Sequence, residues 1–157
     1  MNSTFGDPNP AKGAIRHPGR EHQQGEETHA KAREGKKTIL VFSPDLNLCF
    51  SLSLLFQDRY HVVTTTNLAA VGPLVTEHRA SLVIIDDVPS PWLISSIDAI
   101  RGKQKKVSLV VLYVYDARLM SLDQAIRTHV DSVFYKPVDI AAVSQRIQEL
   151  LQVDGQL

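Results

Sequence analysis

Five short apolar runs, separated by stretches with helical spacing, limit what this chain can fold into more than any other feature. The runs are rich in β-branched and aromatic residues, and they cover residues 38–42, 60–65, 81–85, 107–115 and 132–135. Several are apolar at successive positions, which suits parallel strands buried on both faces. Strands that alternate with helices predict an α/β fold, with a doubly wound parallel sheet of five strands covered by helices on both sides.

The first and last helical patterns have a clear apolar face. Residues 45–56 predict a helix after the first strand, and Asp139 is placed to cap a helix after the fifth. The predicted inward residues are Leu48, Cys49, Leu52, Leu55 and Phe56 in the first helix, and Ile140, Val143, Ile147 and Leu150 in the last.

The middle helices are predicted from shorter signals. Residues 94–101 form a short amphipathic segment, and a capping box over 121–124 opens a helix that runs to about Thr128. The weakest pattern lies over 68–78, because the Gly-Pro pair at 72–73 should break that helix or delay its start.

The N-terminal segment differs in composition from the rest of the chain. It holds five of the eight glycines and three of the eight prolines, and its only bulky apolar residues are Met1, Phe5 and Ile15. A segment this polar cannot bury enough apolar surface to offset the entropy lost on ordering. We therefore predict a disordered tail over residues 1–36 and a folded domain over residues 37–157.

Charge, cysteine content and hydropathy argue against several classes of function. Lys plus Arg number 17 and Asp plus Glu number 17, so a strongly basic nucleic-acid surface is not expected. The single cysteine, Cys49, excludes an intrachain disulfide. No apolar run is long enough to cross a bilayer and no apolar leader opens the chain, so a cytoplasmic location without a membrane partner is expected. No catalytic or nucleotide-binding motif is present, so the chain is not expected to be an enzyme.

Polar residues follow the predicted strands at the points where the strands end. They are Ser43, Pro44 and Asp45 after the first strand, Asp86 and Asp87 after the third, Tyr115 and Asp116 after the fourth, and Lys136 and Pro137 after the fifth. Ligands of an open α/β sheet lie beyond the carboxyl ends of its strands. An aspartate faced there by a lysine suits acyl-phosphate chemistry, in which the carboxylate attacks a phosphoryl group and the ammonium pairs with an oxygen. A surface acid and a solvated lysine are the alternative.

Two of these strands and their ends resemble a known family. The stretches Ser81-Leu-Val-Ile-Ile-Asp86 and Val133-Phe-Tyr-Lys136-Pro137, with the apolar opening strand, resemble the CheY-like receiver domains of response regulators, over about residues 37–152. The resemblance implies a flavodoxin/CheY-like sheet of strand order 2-1-3-4-5. It also implies that Asp86 is the phospho-acceptor, with Asp87 as rival, that Lys136 pairs with the carboxylate or phosphoryl group, and that the bond before Pro137 is cis.

The chain departs from the family pattern where a metal is expected. Family members that accept a phosphoryl group carry an acidic pair after the first strand, and that pair holds Mg²⁺. Here Ser43 and Pro44 stand at those positions and Asp45 follows, which leaves Asp45 and Asp86 as weak metal candidates. Because Mg²⁺ demands oxygen ligands in octahedral geometry, no cofactor is expected, and Mg²⁺ only if the chain is a working phospho-receiver.

The switch residues of the family are also replaced. Tyr115 is assigned to the place of the Ser or Thr at the end of the fourth strand, where its ring would fill the space of a phosphoryl oxygen. Val133 stands where an aromatic switch residue is expected on the fifth strand. These departures predict a degenerate receiver, or pseudo-receiver, that acts by binding partners.

The first helix carries a second apolar stripe opposite its core face. Leu46, Phe50 and Leu54 follow one another at four-residue spacing and should face outward. Such a stripe indicates a docking surface, and the resemblance implies a histidine kinase, a phosphotransfer protein or another signalling protein as partner, with a homodimer as another possibility. Cover by the N-terminal tail, or a rotated helix, is the alternative.

These features together predict a single-domain, receiver-like protein of two-component phosphorelay signalling that acts through protein–protein interaction. One alternative is a functional phospho-receiver that takes a phosphoryl group on Asp86 from a histidine kinase. A second is a small-ligand-binding, flavodoxin-like domain, which is disfavoured because the loop after the first strand lacks glycine.

Overall fold

The computed structural model describes residues 35–153 as an alternation of five strands and five helices. The strands are β1 Thr38–Phe42, β2 His61–Thr65, β3 Leu82–Asp86, β4 Ser108–Tyr113 and β5 Ser132–Tyr135. The helices are α1 Leu46–Phe56, α2 Val71–His78, α3 Pro91–Lys103, α4 Met120–His129 and α5 Ile140–Val153. Short 3₁₀ turns, Leu68–Ala70 and Ala117–Leu119, precede α2 and α4. The predicted tail over residues 1–36 lies almost wholly outside the described residues.

All five strands are parallel, in the order β2-β1-β3-β4-β5. The fold class predicted from the sequence, including the strand order, is confirmed. In this order β1 and β4 both flank β3, and β5 lies beyond β4. The residues that follow β1, β3, β4 and β5 therefore emerge at one edge of the sheet.

Each face of the sheet packs against its own helices. Alternate strand residues such as Leu40, Val83 and Val111 form one apolar cluster with α2, α3 and α4. Their neighbours, including Ile39 and Ile84, form the second cluster with α1 and α5. Because both faces are covered, the central strands are apolar at successive positions. No helix of the described residues is long and apolar enough to span a bilayer.

Two predicted helix starts need correction. α3 begins at Pro91, three residues earlier than predicted, since the Ser90 hydroxyl accepts a hydrogen bond from the Leu93 amide and proline suits the first helical position. The capping box over 121–124 is wrong, because α4 already begins at Met120. A 3₁₀ turn capped by Asp116 leads directly into it.

The Gly-Pro pair at 72–73 delays the second helix, as predicted, rather than abolishing it. The pair lies in the first turn of α2, where the missing proline N–H would have no partner inside the helix. The preceding residues 68–70 form the 3₁₀ turn.

The inward faces of α1 and α5 differ slightly from the predicted ones. In α1, Leu55 is 40% exposed, because the buried positions advance by three and four residues from Cys49 to Phe56 and leave Leu55 at the margin. In α5, Ile140 is 43% exposed, since it is the first residue of the helix, and Leu151 is buried near the helix end. The predicted cap is confirmed: Asp139 Oδ1 accepts hydrogen bonds from the amides of the second and third helical residues.

Candidate functional site

Asp86 is a buried carboxylate at the carboxyl end of the central strand. Its residue is 5% exposed, and Lys136 Nζ lies 2.5 Å from its Oδ1. Lys136 follows β5, and its backbone amide donates to the carbonyl of Tyr113 at the end of β4. The strand order thus brings together the acid and the ammonium that the sequence analysis selected. The bond between Lys136 and Pro137 is cis.

Ser43 engages the other oxygen of the same carboxylate. Its hydroxyl donates to Asp86 Oδ2 at 2.7 Å, and the side chain is fully buried directly after β1. The Asp45 amide donates to the Ser43 oxygen at 3.0 Å and so fixes the hydroxyl in place. Both oxygens of Asp86 therefore have partners within the protein itself.

Asp87 takes a different position from its neighbour. Its side chain is partly exposed, and Oδ1 accepts a hydrogen bond from the next amide, that of Val88, at 2.8 Å. Successive residues at a strand end point in opposite directions, so only one of the two carboxylates can face Lys136. That carboxylate is Asp86.

A cleft of about 350 Å³ opens beside the Asp86–Lys136 pair. The loops that follow β1, β3, β4 and β5 surround it. Its lining residues are Pro44, Asp45, Asp86, Asp87, Val88, Pro89, Tyr113, Val114, Asp116, Leu119 and Lys136. Two of the lining residues are large, exposed apolar side chains: Val88 is 67% exposed and Val114 64%. The polar pair Asp86 and Lys136 thus lies inside a cleft whose rim carries the apolar side chains of Val88 and Val114.

Tyr115, which the resemblance assigns to the phosphoryl space, is not among the residues that line the cleft. Its ring centroid lies 5.2 Å from that of Tyr135, and the cleft is lined instead by Val114. β4 ends at Tyr113, two residues before the end of the apolar run, so the side chains beyond it follow loop geometry. Val133 is partly buried and packs against the core cluster of α2, α3 and α4.

Sequence reasoning missed a second buried carboxylate, on α4. Asp123 is buried, and its Oδ1 accepts hydrogen bonds from the hydroxyls of Tyr113 at 2.5 Å and Tyr135 at 2.8 Å. Arg127 Nε donates to its Oδ2 at 3.3 Å. Asp123 stands three residues before the buried Ile126, and that helical spacing could have revealed its inward position.

The surroundings shift the pKa values in this cluster. Burial raises the pKa of Asp123, but hydrogen bonds from the two phenols and the charge of Arg127 lower it by more, so that it lies below its ordinary value. Burial and the hydrogen bond to the Asp123 carboxylate raise the pKa of Tyr113 far above its usual range. At neutral pH the Asp123 carboxylate is therefore ionised and accepts a hydrogen bond from the neutral phenol of Tyr113.

Comparison with known proteins finds similarity to solved structures but none to protein-family models or curated sequences. Chemotaxis protein CheY4 from Vibrio cholerae is 16% identical, with a TM-score of 0.63; the match covers 74% of this chain and 99% of that one. The receiver domain of a Saccharomyces cerevisiae response regulator, solved with a histidine phosphotransfer signaling protein, is 19% identical, with a TM-score of 0.60 and coverage of 73% and 88%.

The chain has the CheY-like receiver fold. A Burkholderia pseudomallei protein described as pilus assembly-related shares this fold at 23% identity and a TM-score of 0.61, with coverage of 74% of this chain and 90% of that one. Proteins of different description therefore share this fold, and the use to which this chain puts it depends on its own site residues.

The residues beside Asp86 do not fit the Mg²⁺ ion that phosphorylated receivers use. Pro44 offers no side-chain ligand, the Ser43 hydroxyl is engaged with Asp86, and Asp45 Oδ1 accepts the Asn47 amide at 2.9 Å as the cap of α1. Among residues 35–153, no group of three or more His, Cys, Asp or Glu side chains is arranged to hold a metal ion. The receiver fold is present without the receiver's expected cation ligands.

The outward stripe of α1 lies next to the cleft. Leu46 is 72% exposed, Phe50 65% and Leu54 49%. The helix begins directly after Asp45, which lines the cleft and caps α1. The apolar stripe therefore begins at the edge of the sheet that carries the cleft and runs away from it along α1.

Proposed function

We propose that this chain is a receiver-like signalling protein of the two-component type, which acts by binding a protein partner rather than by Mg²⁺-dependent phosphorylation of Asp86. The proposal rests on the two contacts that engage both oxygens of the Asp86 carboxylate. Lys136 neutralises one oxygen at 2.5 Å, and the Ser43 hydroxyl donates to the other at 2.7 Å.

Electrostatics argue against phosphoryl transfer at this site. A carboxylate that attacks a phosphoryl donor needs a free oxygen, and the incoming group brings further negative charge. Lys136 would have to balance both, although a single pair of unit charges about 4 Å apart contributes only roughly 4 kcal/mol at an effective dielectric of 20. Among the described residues, no group of three or more His, Cys, Asp or Glu side chains is arranged there to bring in a divalent cation.

The exposed apolar residues support protein binding. Full burial of a Leu or Phe side chain contributes about 1.5–3 kcal/mol, and three such residues lie along the exposed face of α1, a helix that begins beside the cleft. The Saccharomyces cerevisiae receiver of the same fold was solved with a histidine phosphotransfer protein. We therefore propose a histidine kinase or phosphotransfer protein as the partner class, docked across the α1 stripe and the mouth of the cleft.

A charge at the centre of the stripe tests the partner surface. Phe50→Asp should abolish association with a histidine kinase or phosphotransfer protein of the same genome, while Phe50→Leu, which keeps an apolar side chain, should retain most of it. Met120→Asp serves as the matched control, because Met120 is also exposed but lies on α4. Titration calorimetry measures binding, and circular dichroism verifies folding. Unchanged binding by folded Phe50→Asp protein would overturn the assignment of the stripe.

Two alternatives rest on the same cleft. The Asp86–Lys136 pair would serve a phospho-receiver, in which a phosphoryl group displaces the Ser43 hydrogen bond. The volume of about 350 Å³ also falls within the range of small-ligand pockets, as a flavodoxin-like binding domain would need. A phosphoryl adduct on Asp86 would support the first alternative, and a colourless protein without ligand-induced thermal shift would argue against the second.

A further inference from the structure

The segments that lead into the five strands carry an excess of basic residues. Because all the strands are parallel, these segments lie together at the amino edge of the sheet, opposite the cleft. Their described charged residues are six cations, Lys36, Lys37, Arg59, Arg79, Lys105 and Lys106, and two acids, Asp58 and Asp131. The chain as a whole has no net charge, yet this edge is locally basic.

A polar recess opens in the amino edge, between the start of β1 and the turn that joins α2 to β3. Its volume of about 360 Å³ falls within the range of small-ligand sites. Glu77 Oε1 lies 4.0 Å from His78 Nε2, but Glu77 is exposed and does not line the recess. The lining residues include no acid; they are Gly35, Lys36, Lys37, Thr38, His78, Arg79 and Ser81.

Three of the lining residues, Lys36, Lys37 and Arg79, carry a positive charge at neutral pH. Within the described part of the chain, none of the three forms an ion pair. Lys36 Nζ lies 3.5 Å from the main-chain carbonyl oxygen of Gln57. Lys37 Nζ donates to the carbonyl of Leu151. Carbonyls at helix ends account for the two lysines, but they leave both charges in place and do not account for the arginine.

The backbone of Arg79 has an unusual conformation. Its φ is 50°, and it is the one non-glycine residue with positive φ among the described residues. Arg79 follows the last residue of α2, a position at which glycine is common because it lacks a Cβ. The turn is fixed by Ala80, which is fully buried and whose amide donates to the Val75 carbonyl at 3.0 Å. The fold thus holds an arginine beside the recess in a conformation that glycine would adopt at lower cost.

We propose that this recess is an oxyanion site for the phosphate group of a small molecule, with the Arg79 guanidinium as its principal donor. A guanidinium binds two oxygens of a phosphate at once. A phosphate also carries about two negative charges at neutral pH, so it matches a recess with three cationic residues better than a carboxylate does. The recess lies at the opposite edge of the sheet from the cleft, so this proposal goes beyond the proposed function and does not depend on it.

Titration of the full chain with inorganic pyrophosphate tests the site, with the ionic strength held constant by NaCl and the amide resonances as the readout. Saturable shifts are expected at Thr38, Arg79 and Ser81, while the amide of Asp86 at the opposite edge should not move. Acetate, with its single charge, should give weaker shifts. Shifts that do not saturate, or that acetate reproduces at equal concentration, would overturn the assignment to phosphate.

A variant at position 79 separates anion binding from folding. Arg79→Gly removes the guanidinium and suits the positive φ, so the melting temperature should be at or above that of the wild type. Pyrophosphate should bind about tenfold more weakly, because a charge-assisted contact is lost. If Arg79→Gly does not fold, Arg79→Asn replaces it, since asparagine also tolerates a positive φ.

Arg118→Gln is the matched control for net charge. It removes the same charge from a side chain that is 88% exposed and follows β4, at the opposite edge of the sheet. It should bind pyrophosphate as the wild type does. Wild-type affinity in the folded position-79 variant, or an equal loss in both variants, would overturn the proposal. No protein partner is needed, so failure here is distinguishable from failure of Phe50→Asp to block binding.

Discussion

Ser43 and Asp86 lie 43 positions apart in the chain, yet the Ser43 hydroxyl donates to Asp86 Oδ2 at 2.7 Å in a buried site. With Lys136 on the other oxygen, the carboxylate is neutralised and hydrogen-bonded by this chain's own residues. A phosphorylated receiver assembles its metal site at this edge of the sheet. In this protein, the same edge holds a carboxylate whose two oxygens are both engaged by Ser43 and Lys136.

Removal of the ammonium should destabilise the fold. Lys136→Met leaves the buried Asp86 carboxylate with the Ser43 hydroxyl as its remaining side-chain donor, at a cost of about 1–2 kcal/mol after allowance for the partial exposure of the lysine. Urea unfolding measures the change. The double variant Asp86→Asn, Lys136→Met should recover part of the loss, because no unpaired charge then remains. A single variant as stable as the wild type would contradict the account of a structural ion pair.

An acid at position 43 should turn the site into one that depends on a divalent cation. Ser43→Asp places a second carboxylate against Asp86, so the free energy of unfolding should fall by about 2 kcal/mol or more without metal. Added Mg²⁺ should restore part of that stability by binding the folded state. Ser43→Asn is the uncharged control and should show no response to Mg²⁺. Thermal unfolding with and without MgCl₂ measures the effect, and equal responses of both variants would refute it.

The buried cluster of Asp123 with Tyr113, Tyr135 and Arg127 should stabilise the fold in a pH-dependent way. Because the folded-state pKa of Asp123 lies below its ordinary value of 3.8, its stabilising effect is complete above that pH and is lost as pH falls through the lowered value. Asp123→Asn should therefore cost about 2 kcal/mol at pH 7, with a smaller difference from the wild type below about pH 4. Urea unfolding across this range tests the sign. Asp58→Asn, at an exposed position, should show no such trend.

Much of the fold could be predicted because it depends on local patterns. Continuous apolar runs identify all five strands, and the rule that parallel strands end at one edge predicts that Asp86 and Lys136 lie at the same edge of the sheet. The cap at Asp139 followed from the residue type at a helix start.

The errors arose where the outcome depends on contacts distant in sequence. The apolar run over 107–115 does not show that β4 ends at Tyr113, and the residue beyond β4 that lines the cleft is Val114 rather than Tyr115. Asp123 is not singled out by the sequence, because its phenolic partners come from two strands that only the folded sheet brings near α4. Spacing along the chain carries no signal for such partners.

Treatment of the intact protein with acetyl phosphate and Mg²⁺, read by mass spectrometry, tests the central claim most directly. The account predicts no phosphoryl adduct on the wild type, under conditions in which a receiver that carries the acidic pair is fully modified. An adduct that is absent in Asp86→Ala but retained in Asp87→Ala would contradict it and would show that the closed carboxylate opens to accept a phosphoryl group.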